Sequence, residues 1–494
     1  MRRYEEVASL YKEISALRSS ISLLGWDQQV LMPPGGARAR SEHLLRLTKL
    51  EHSLLCSDEL SGKLADALSD VTDFEEAQLR VLATDIQKAK KLPASLVQQK
   101  AAASSSAYQQ WKISRANNDF ASMIPHYTEL FDIARETSRL YGFTGHPYDA
   151  LIDIYEEGST YAEAKALLGD LKQPTIDLIR RIREEGKPID DSFLIRDWDQ
   201  PRLKVAMERV LKHIGFSFDH GRLDIAPNAF CTHLSVNDVR MTTRASDHFR
   251  GIVSSSLHEM GHGLYEQSQR PDWEFTPLCG GASLGVHESQ SRTWENVVGR
   301  SQPFWSYFWV WFREQFPFLN EVHNDQFWRA YNKVEPGLTR VGSDELHYNL
   351  HILIRFEIEE AIISRNLEIK DIPEVWNAKY TEYFGVTPSN DTEGCLQDVH
   401  WSRGSVGYFP TYSYGNLIGV QIWNKLIEEV DDVDDLMATG SYRPILDWLT
   451  ERVYGYGRLM RPKEIVRHIT SSPLSAEPWL RYATAKFSEV YDLQ

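Results

Sequence analysis

The sequence predicts a mainly α-helical protein with one small β-sheet. Three observations carry that expectation. Apolar residues recur at helical spacing through most of the first half of the 494-residue chain, and again from residue 285 nearly to the end. The best strand candidates, 222–226 and 239–243, combine alternation with β-forming side chains. No internal repeat, low-complexity tract or Gly/Ser- or Pro-rich linker divides the chain. It reads as one domain over residues 1–494, with a helical N-terminal part over 1–220 and the remainder over 221–494.

Taken in order, residues 3–24 place Val7, Leu10, Tyr11, Ile14, Leu17, Ile21 and Leu24 on one helical stripe. Pro33-Pro34-Gly35-Gly36 then breaks the pattern. Helices are predicted over 37–68, 74–90, 94–117, 120–141, 160–185 and 200–215, with Asp73 and Thr160 as N-caps. Lys187–Asp199 is polar and reads as loop. The two predicted strands lie just upstream of a helix that carries the chemistry, where a short sheet would be placed to pair with extended peptide backbone.

Charge and cysteine usage narrow the function classes. Lys and Arg total 54 against 70 Asp and Glu, a net charge of −16. That balance argues against nucleic acid as a partner and against anionic membrane surfaces. No run of about 18 apolar residues is present, so no membrane span is expected. Cys56, Cys231, Cys279 and Cys395 are scattered, with no C-x-x-C pair, and no signal-peptide core is visible near the N-terminus. A reducing, cytoplasmic location is expected.

The chemistry-bearing stretch is His258-Glu259-Met260-Gly261-His262. Residues four apart share one helical face, so His258 and His262 can aim two imidazoles at one metal ion. Glu259 projects about 100° round the helix, beside that ion. This is the H-E-x-x-H pattern of zinc peptidases. Leu257, Met260, Gly261 and Leu264 surround it with apolar and small residues, which suits a buried site. Gly261 costs about 1 kcal/mol relative to Ala in a helix and points to close packing of another backbone.

Two histidines leave zinc short of a third protein ligand. The following segment, GASLGVHESQSRTWENVVG, offers His287, Glu288 and Glu295. Glu288, 26 residues beyond His262 (288 − 262), is favoured by spacing. Glu288, Ser291, Arg292 and Glu295 would share one helical face.

With those residues in view, the chain resembles the carboxypeptidase Taq family of zinc peptidases over nearly its whole length. HEMGHGLYEQ followed by GVHESQSRTWEN carries the resemblance, with LLGWDQQVLMPPGGARARSEHL (23–44) and YDALIDIYEEGST (148–160). Asp238, Arg240 and Thr242 in NDVRMTT match its D-x-R-x-T motif, GCLQDVHW (394–401) its G-x-x-Q-D-x-H-W motif, and GYFPTYSYGN (407–416) follows. The resemblance implies a large helical zincin-type peptidase with a deep substrate groove, in which 221–494 is the catalytic part. It implies a carboxypeptidase that releases C-terminal residues from peptides with broad specificity. One Zn2+ per subunit, with Co2+ as a substitute, would sit on His258, His262 and Glu288, with Glu259 as the catalytic carboxylate. The family's members are commonly homodimers. Two departures stand out. Asn228-Ala229-Phe230 occupies the place of a family His-Pro-Phe, and Ile354-Arg355-Phe356-Glu357-Ile358-Glu359 keeps the arginine of an I/V-R-x-x-A-D motif but not its Ala and Asp.

In the implied chemistry Glu259 takes a proton from a zinc-activated water and passes it to the leaving amine. Candidate oxyanion donors are His287, His400, Tyr408 and Tyr412, with His287 alternatively orienting a ligand. A free α-carboxylate calls for a planar guanidinium. Arg240 and Arg355 are the candidates, and the alternative is a structural ion pair, Arg240 with Asp238 or Arg355 with Glu359. Gln397, Asp398 and His400 are candidates for orienting other groups through hydrogen bonds. Trp26 and Asp27 read as structural. The rival readings are an endo-acting zinc oligopeptidase and, prompted by Asn228-Ala229, a peptide-binding homologue with impaired turnover.

Overall fold

The computed structural model describes residues 2–68, 71–244, 246 and 248–494. Helices dominate it, and one three-stranded sheet is present among the described residues. The chain forms two compact units that alternate along the sequence. The first comprises Met1–Lys90, Asp190–Tyr331 and Ile422–Pro473; the second comprises Lys91–Ile189, Asn332–Gln421 and Leu474–Gln494. Residues on both sides of position 220 therefore build each unit.

In the first unit the helix Arg3–Val30 continues beyond the predicted 3–24. Its Val7, Tyr11 and Ile14 are buried against Leu60, Leu64, Leu79 and Leu82. The single helix predicted over 37–68 is two, Ala37–Leu55 and Asp58–Ala67. Ser57 splits them because its side chain accepts from the Leu60 N–H and so caps the second helix. The cap predicted at Asp73 lies one residue earlier. Thr72 Oγ1 accepts from the Glu75 N–H at 3.3 Å, and the Glu75 carboxylate accepts from the Thr72 N–H at 3.0 Å. In the second unit Thr160 caps Tyr161–Glu185 as expected, in a capping box with Glu163.

Both predicted strands form, as β1 (Gly221–Ala226) and β3 (Asp238–Arg244). Between them lies β2 (Phe230–Ser235), which the sequence reading missed. All six of its residues are half-buried, so it lacks the alternation that betrays a strand. The order is β1-β3-β2, with β3 parallel to β1 and antiparallel to β2.

The motif helix, Phe249–Gln267, packs on one face of this sheet. Phe249, Ile252, Val253, Leu257, Met260 and Leu264 are all at most 1% exposed, a continuous helical stripe that fixes its rotation. Gly263 meets the sheet: a Cβ there would lie 2.8 Å from Met241 Sδ. Gly261 meets the helix Leu284–Arg292, where a Cβ would lie 2.4 Å from the Gln290 carbonyl oxygen. The close approach expected at Gly261 is thus present. The two glycines let the motif helix lie close against both the sheet and the next helix.

The second unit is built round the helix Glu345–Ile363, buried on nearly every side. Along it His347, His351, Arg355 and Glu359 recur every four residues and form one buried polar stripe. Asp344 caps its start by accepting from the N–H groups of Leu346 and His347.

Candidate metal centre

Within the first unit the motif helix and the helix Leu284–Arg292 bring His258, His262 and Glu288 together. One ligand atom from each lies within 4.8 Å of the others. Glu288 Oε2 is 3.4 Å from His258 Nε2 and 3.4 Å from His262 Nε2. Ligands 2.0–2.1 Å from a tetrahedral ion are separated by about 3.3 Å. The donor set, two imidazoles and a carboxylate, is that of a zinc site with one position left open. Spacing and chemistry both fit zinc, and the ligand set expected from the sequence is the one assembled.

Each ligand is held from behind. Arg292 Nε donates to Glu288 Oε1 at 2.8 Å, and Ser291 Oγ donates to Oε2 at 3.0 Å. Burial would raise the Glu288 carboxyl, but Arg292 and the two imidazoles hold it well below the usual range. Glu295, a rival third ligand in the sequence, orients instead: its Oε2 lies 2.9 Å from His258 Nδ1 and accepts from Arg292 at 3.1 Å. It reaches that place from a π-helical segment, Thr293–Val298, which directly continues the ligand helix. Glu288, Ser291, Arg292 and Glu295, which share one helical face, are joined by hydrogen bonds.

His287 is turned to the back of the site. Its Nδ1 is 2.5 Å from His262 Nδ1, and its Nε2 is 2.6 Å from Glu266 Oε1. Both ring nitrogens are engaged in these contacts. Sequence reasoning missed Glu266, although it follows His262 by four residues and shares its helical face. It also missed His233, because β2 was missed; His233 Nδ1 is 2.5 Å from Glu266 Oε2.

Glu259 is 5% exposed. Burial pushes its carboxyl up to about 7, with His258 opposing. Burial likewise pulls His262 down to about 4, which keeps its imidazole neutral.

The two candidate arginines are engaged elsewhere. Strand alternation places Arg240 on the face of the sheet opposite Met241, away from the motif helix. There it donates twice to Asp238 at 2.8 Å and stacks over Trp26 at 4.4 Å. Arg355, in the second unit, is 0% exposed. It donates to Asp398 Oδ2 at 2.6 Å, to Gln397 Oε1 at 2.7 Å and to the His351 carbonyl at 2.7 Å. All three nitrogens of the Arg355 guanidinium are engaged, and Arg240 commits its Nε and one Nη to Asp238. Both form ion pairs, Arg240 with Asp238 as the sequence reading allows and Arg355 with Asp398 in place of Glu359.

Asp398 is shared. Arg340, which the sequence reading did not single out, donates to Asp398 Oδ1 at 3.0 Å and to the Tyr348 hydroxyl at 2.9 Å. Beside this pair His400 Nε2 lies 3.1 Å from the Tyr412 hydroxyl, and the His400 and Tyr408 rings are 5.3 Å apart. Burial and nearby arginines pull His400 down to about 3, so it is neutral. Its Nδ1 has no hydrogen-bond partner among the described residues. Glu359 accepts from Tyr148, from Trp401 Nε1 at 2.7 Å and from the Gly407 N–H at 2.9 Å.

Comparison with known proteins places this geometry in context. Residues 6–487 match the family described as carboxypeptidase Taq (M32) metallopeptidase. The chain is 34% identical to carboxypeptidase 1 of Bacillus subtilis, covering 99% of this chain and 98% of that one. It is 35% identical to thermostable carboxypeptidase 1 of Thermus thermophilus over 99% of each. The crystal structure of an M32 carboxypeptidase from Deinococcus radiodurans superposes with a TM-score of 0.97 at 33% identity, covering 99% of this chain and 100% of that one.

Proposed function

We infer the reaction from one premise: the chain belongs to the carboxypeptidase Taq (M32) metallopeptidase family. It is a zinc-dependent carboxypeptidase acting on peptides. The single observation that carries this is the convergence of His258, His262 and Glu288, with Glu288 Oε2 3.4 Å from each imidazole Nε2.

When bound, zinc supplies a Lewis acid that lowers the pKa of water towards about 7 and polarises a carbonyl. The remaining steps belong to the chain. His258, His262 and Glu288 hold the ion. Glu259 serves as general base and then general acid, taking the proton of the attacking water and delivering it to the leaving amine. Its burial, and its place one residue after the ligand His258 on the motif helix, support that role. His400, Tyr408 and Tyr412 serve as peptide-contacting side chains. The neutral His400 ring, with Nδ1 unbonded, supports this, because it retains a polar atom for a ligand. The four unbridged cysteines support a reducing, cytoplasmic setting. The resemblance supports a single peptidase domain over 1–494 and a homodimer, which sedimentation would reveal.

Timed release of amino acids from a defined peptide tests the reading, with a chelator, zinc restoration and a C-terminally amidated copy. Sequential release from the free terminus, lost with chelator, restored by zinc and absent from the amide, is expected. Cleavage of the amide at internal bonds, or no release by zinc-loaded protein, would overturn it.

A further inference from the structure

Behind the ligand His262 runs a chain of side chains that the reaction itself does not use: His287, Glu266 and His233. The contacts are 2.5 Å between the two Nδ1 atoms of His262 and His287, 2.6 Å from His287 Nε2 to Glu266 Oε1, and 2.5 Å from His233 Nδ1 to Glu266 Oε2. Glu266 is 7% exposed and sits one turn beyond His262 on the motif helix.

The donor and acceptor roles along this chain follow from one group. An ionised carboxylate only accepts hydrogen bonds, and a neutral imidazole carries one donor and one acceptor nitrogen. Hydrogen bonds from His233 and His287 outweigh burial and keep Glu266 ionised. Glu266 Oε1 therefore requires the proton of His287 on Nε2. That leaves His287 Nδ1 as an acceptor, so the short contact to His262 requires a proton on His262 Nδ1. The lone pair of His262 then lies on Nε2, the atom 3.4 Å from Glu288 Oε2 at the metal position. The opposite tautomer would turn an N–H toward the ion. His258 has a simpler arrangement, with Glu295 2.9 Å from its Nδ1.

We propose that Glu266, acting through His287, holds His262 in the tautomer and ring orientation that bind zinc, and that Glu266 and His287 are positioning residues. This rests on His262 being a zinc ligand. His233 anchors the far oxygen of Glu266 from β2 and completes the carboxylate's set of donors. The expected size of the effect is that of other groups that orient a ligand histidine, about 10- to 100-fold in metal affinity.

The test measures zinc Kd by chelator competition for the whole protein, wild type and variants, and reads the His262 tautomer from 15N shifts of metal-free protein at one pH. Glu266→Gln is expected to weaken zinc by about 10- to 100-fold and to place part of the His262 population in the Nε2–H form. His287→Gln supplies an amide oxygen to accept from His262 and an amide N–H to donate to Glu266. It should stay within about threefold of wild type, whereas His287→Phe should match the loss in Glu266→Gln. Circular dichroism confirms folding, and if Glu266→Gln fails to fold, the two His287 variants decide. Equal zinc affinity in His287→Phe and wild type, or an unchanged His262 tautomer in folded Glu266→Gln, would overturn the proposal while leaving the metal site intact. Failure of wild type to bind zinc would instead remove the metal reading, and this inference with it.

Discussion

The metal cluster of the first unit and the arginine cluster of the second are both buried, charged and built on helices, yet they balance their charge differently. Around Asp398, each carboxylate oxygen accepts from a guanidinium, Arg340 on one side and Arg355 on the other. Gln397 closes the set by accepting from the Arg340 backbone N–H at 2.8 Å and donating to the Leu338 carbonyl at 2.9 Å. This cluster is complete in itself. At the metal centre the inner atoms are only partly matched. Arg292 satisfies Glu288 Oε1, Glu295 and His287 engage the two Nδ1 atoms, and Glu288 Oε2, which also accepts from Ser291, lies 3.4 Å from each imidazole Nε2. Convergent acceptors in a buried place call for a cation. The comparison separates a network that shapes the fold from one poised for a ligand, although the sequence marks both with conspicuous charged motifs.

Four changes would break or sharpen that contrast. The largest effect is expected for Glu259→Gln, which should retain zinc but lose about 10²- to 10⁴-fold in kcat for amino-acid release; undiminished turnover would remove Glu259 from the reaction. Next is Arg355→Met. It leaves Asp398 with one guanidinium in a buried place and should cost about 3 kcal/mol in urea unfolding while zinc Kd stays unchanged. A zinc defect there would show that the two clusters are not independent. Glu295→Gln should weaken zinc by about 10- to 100-fold, through His258, with folding little altered.

The smallest effect concerns pH. Burial raises the Glu359 carboxyl to about 7, its hydrogen bonds from Tyr148, Gly407 and Trp401 pulling the other way. Because the folded value exceeds the ordinary one, the associated stability is fully present below about pH 4.5 and is lost as pH rises through about 7. Wild type should therefore lose stability relative to Glu359→Gln between pH 5 and pH 8, by at most about 1.4 kcal/mol per pH unit. A gap independent of pH in urea unfolding would contradict this.

Where function depended on local spacing, the sequence was readable. His258 and His262 share a face by helical geometry, Gly261 announced the crossing of the Leu284–Arg292 helix, and the run from Glu288 to Glu295 joined as its periodicity implied. Roles set by distant partners were hidden. Arg355 pairs with Asp398, 43 residues away, and not with Glu359 on its own helix. Arg240 carries a motif position, but strand alternation turned it to Asp238 and Trp26. His233 needed β2, whose even half-burial erased the two-residue rhythm of a strand. The break at Ser57 needed a hydrogen bond that periodicity does not encode.

Anomalous diffraction at the zinc edge from zinc-loaded crystals tests the central claim most directly. One peak per chain within about 2.0–2.2 Å of His258 Nε2, His262 Nε2 and a Glu288 oxygen is the expected result. A peak bound elsewhere, or none at these three residues in zinc-replete protein, would contradict it.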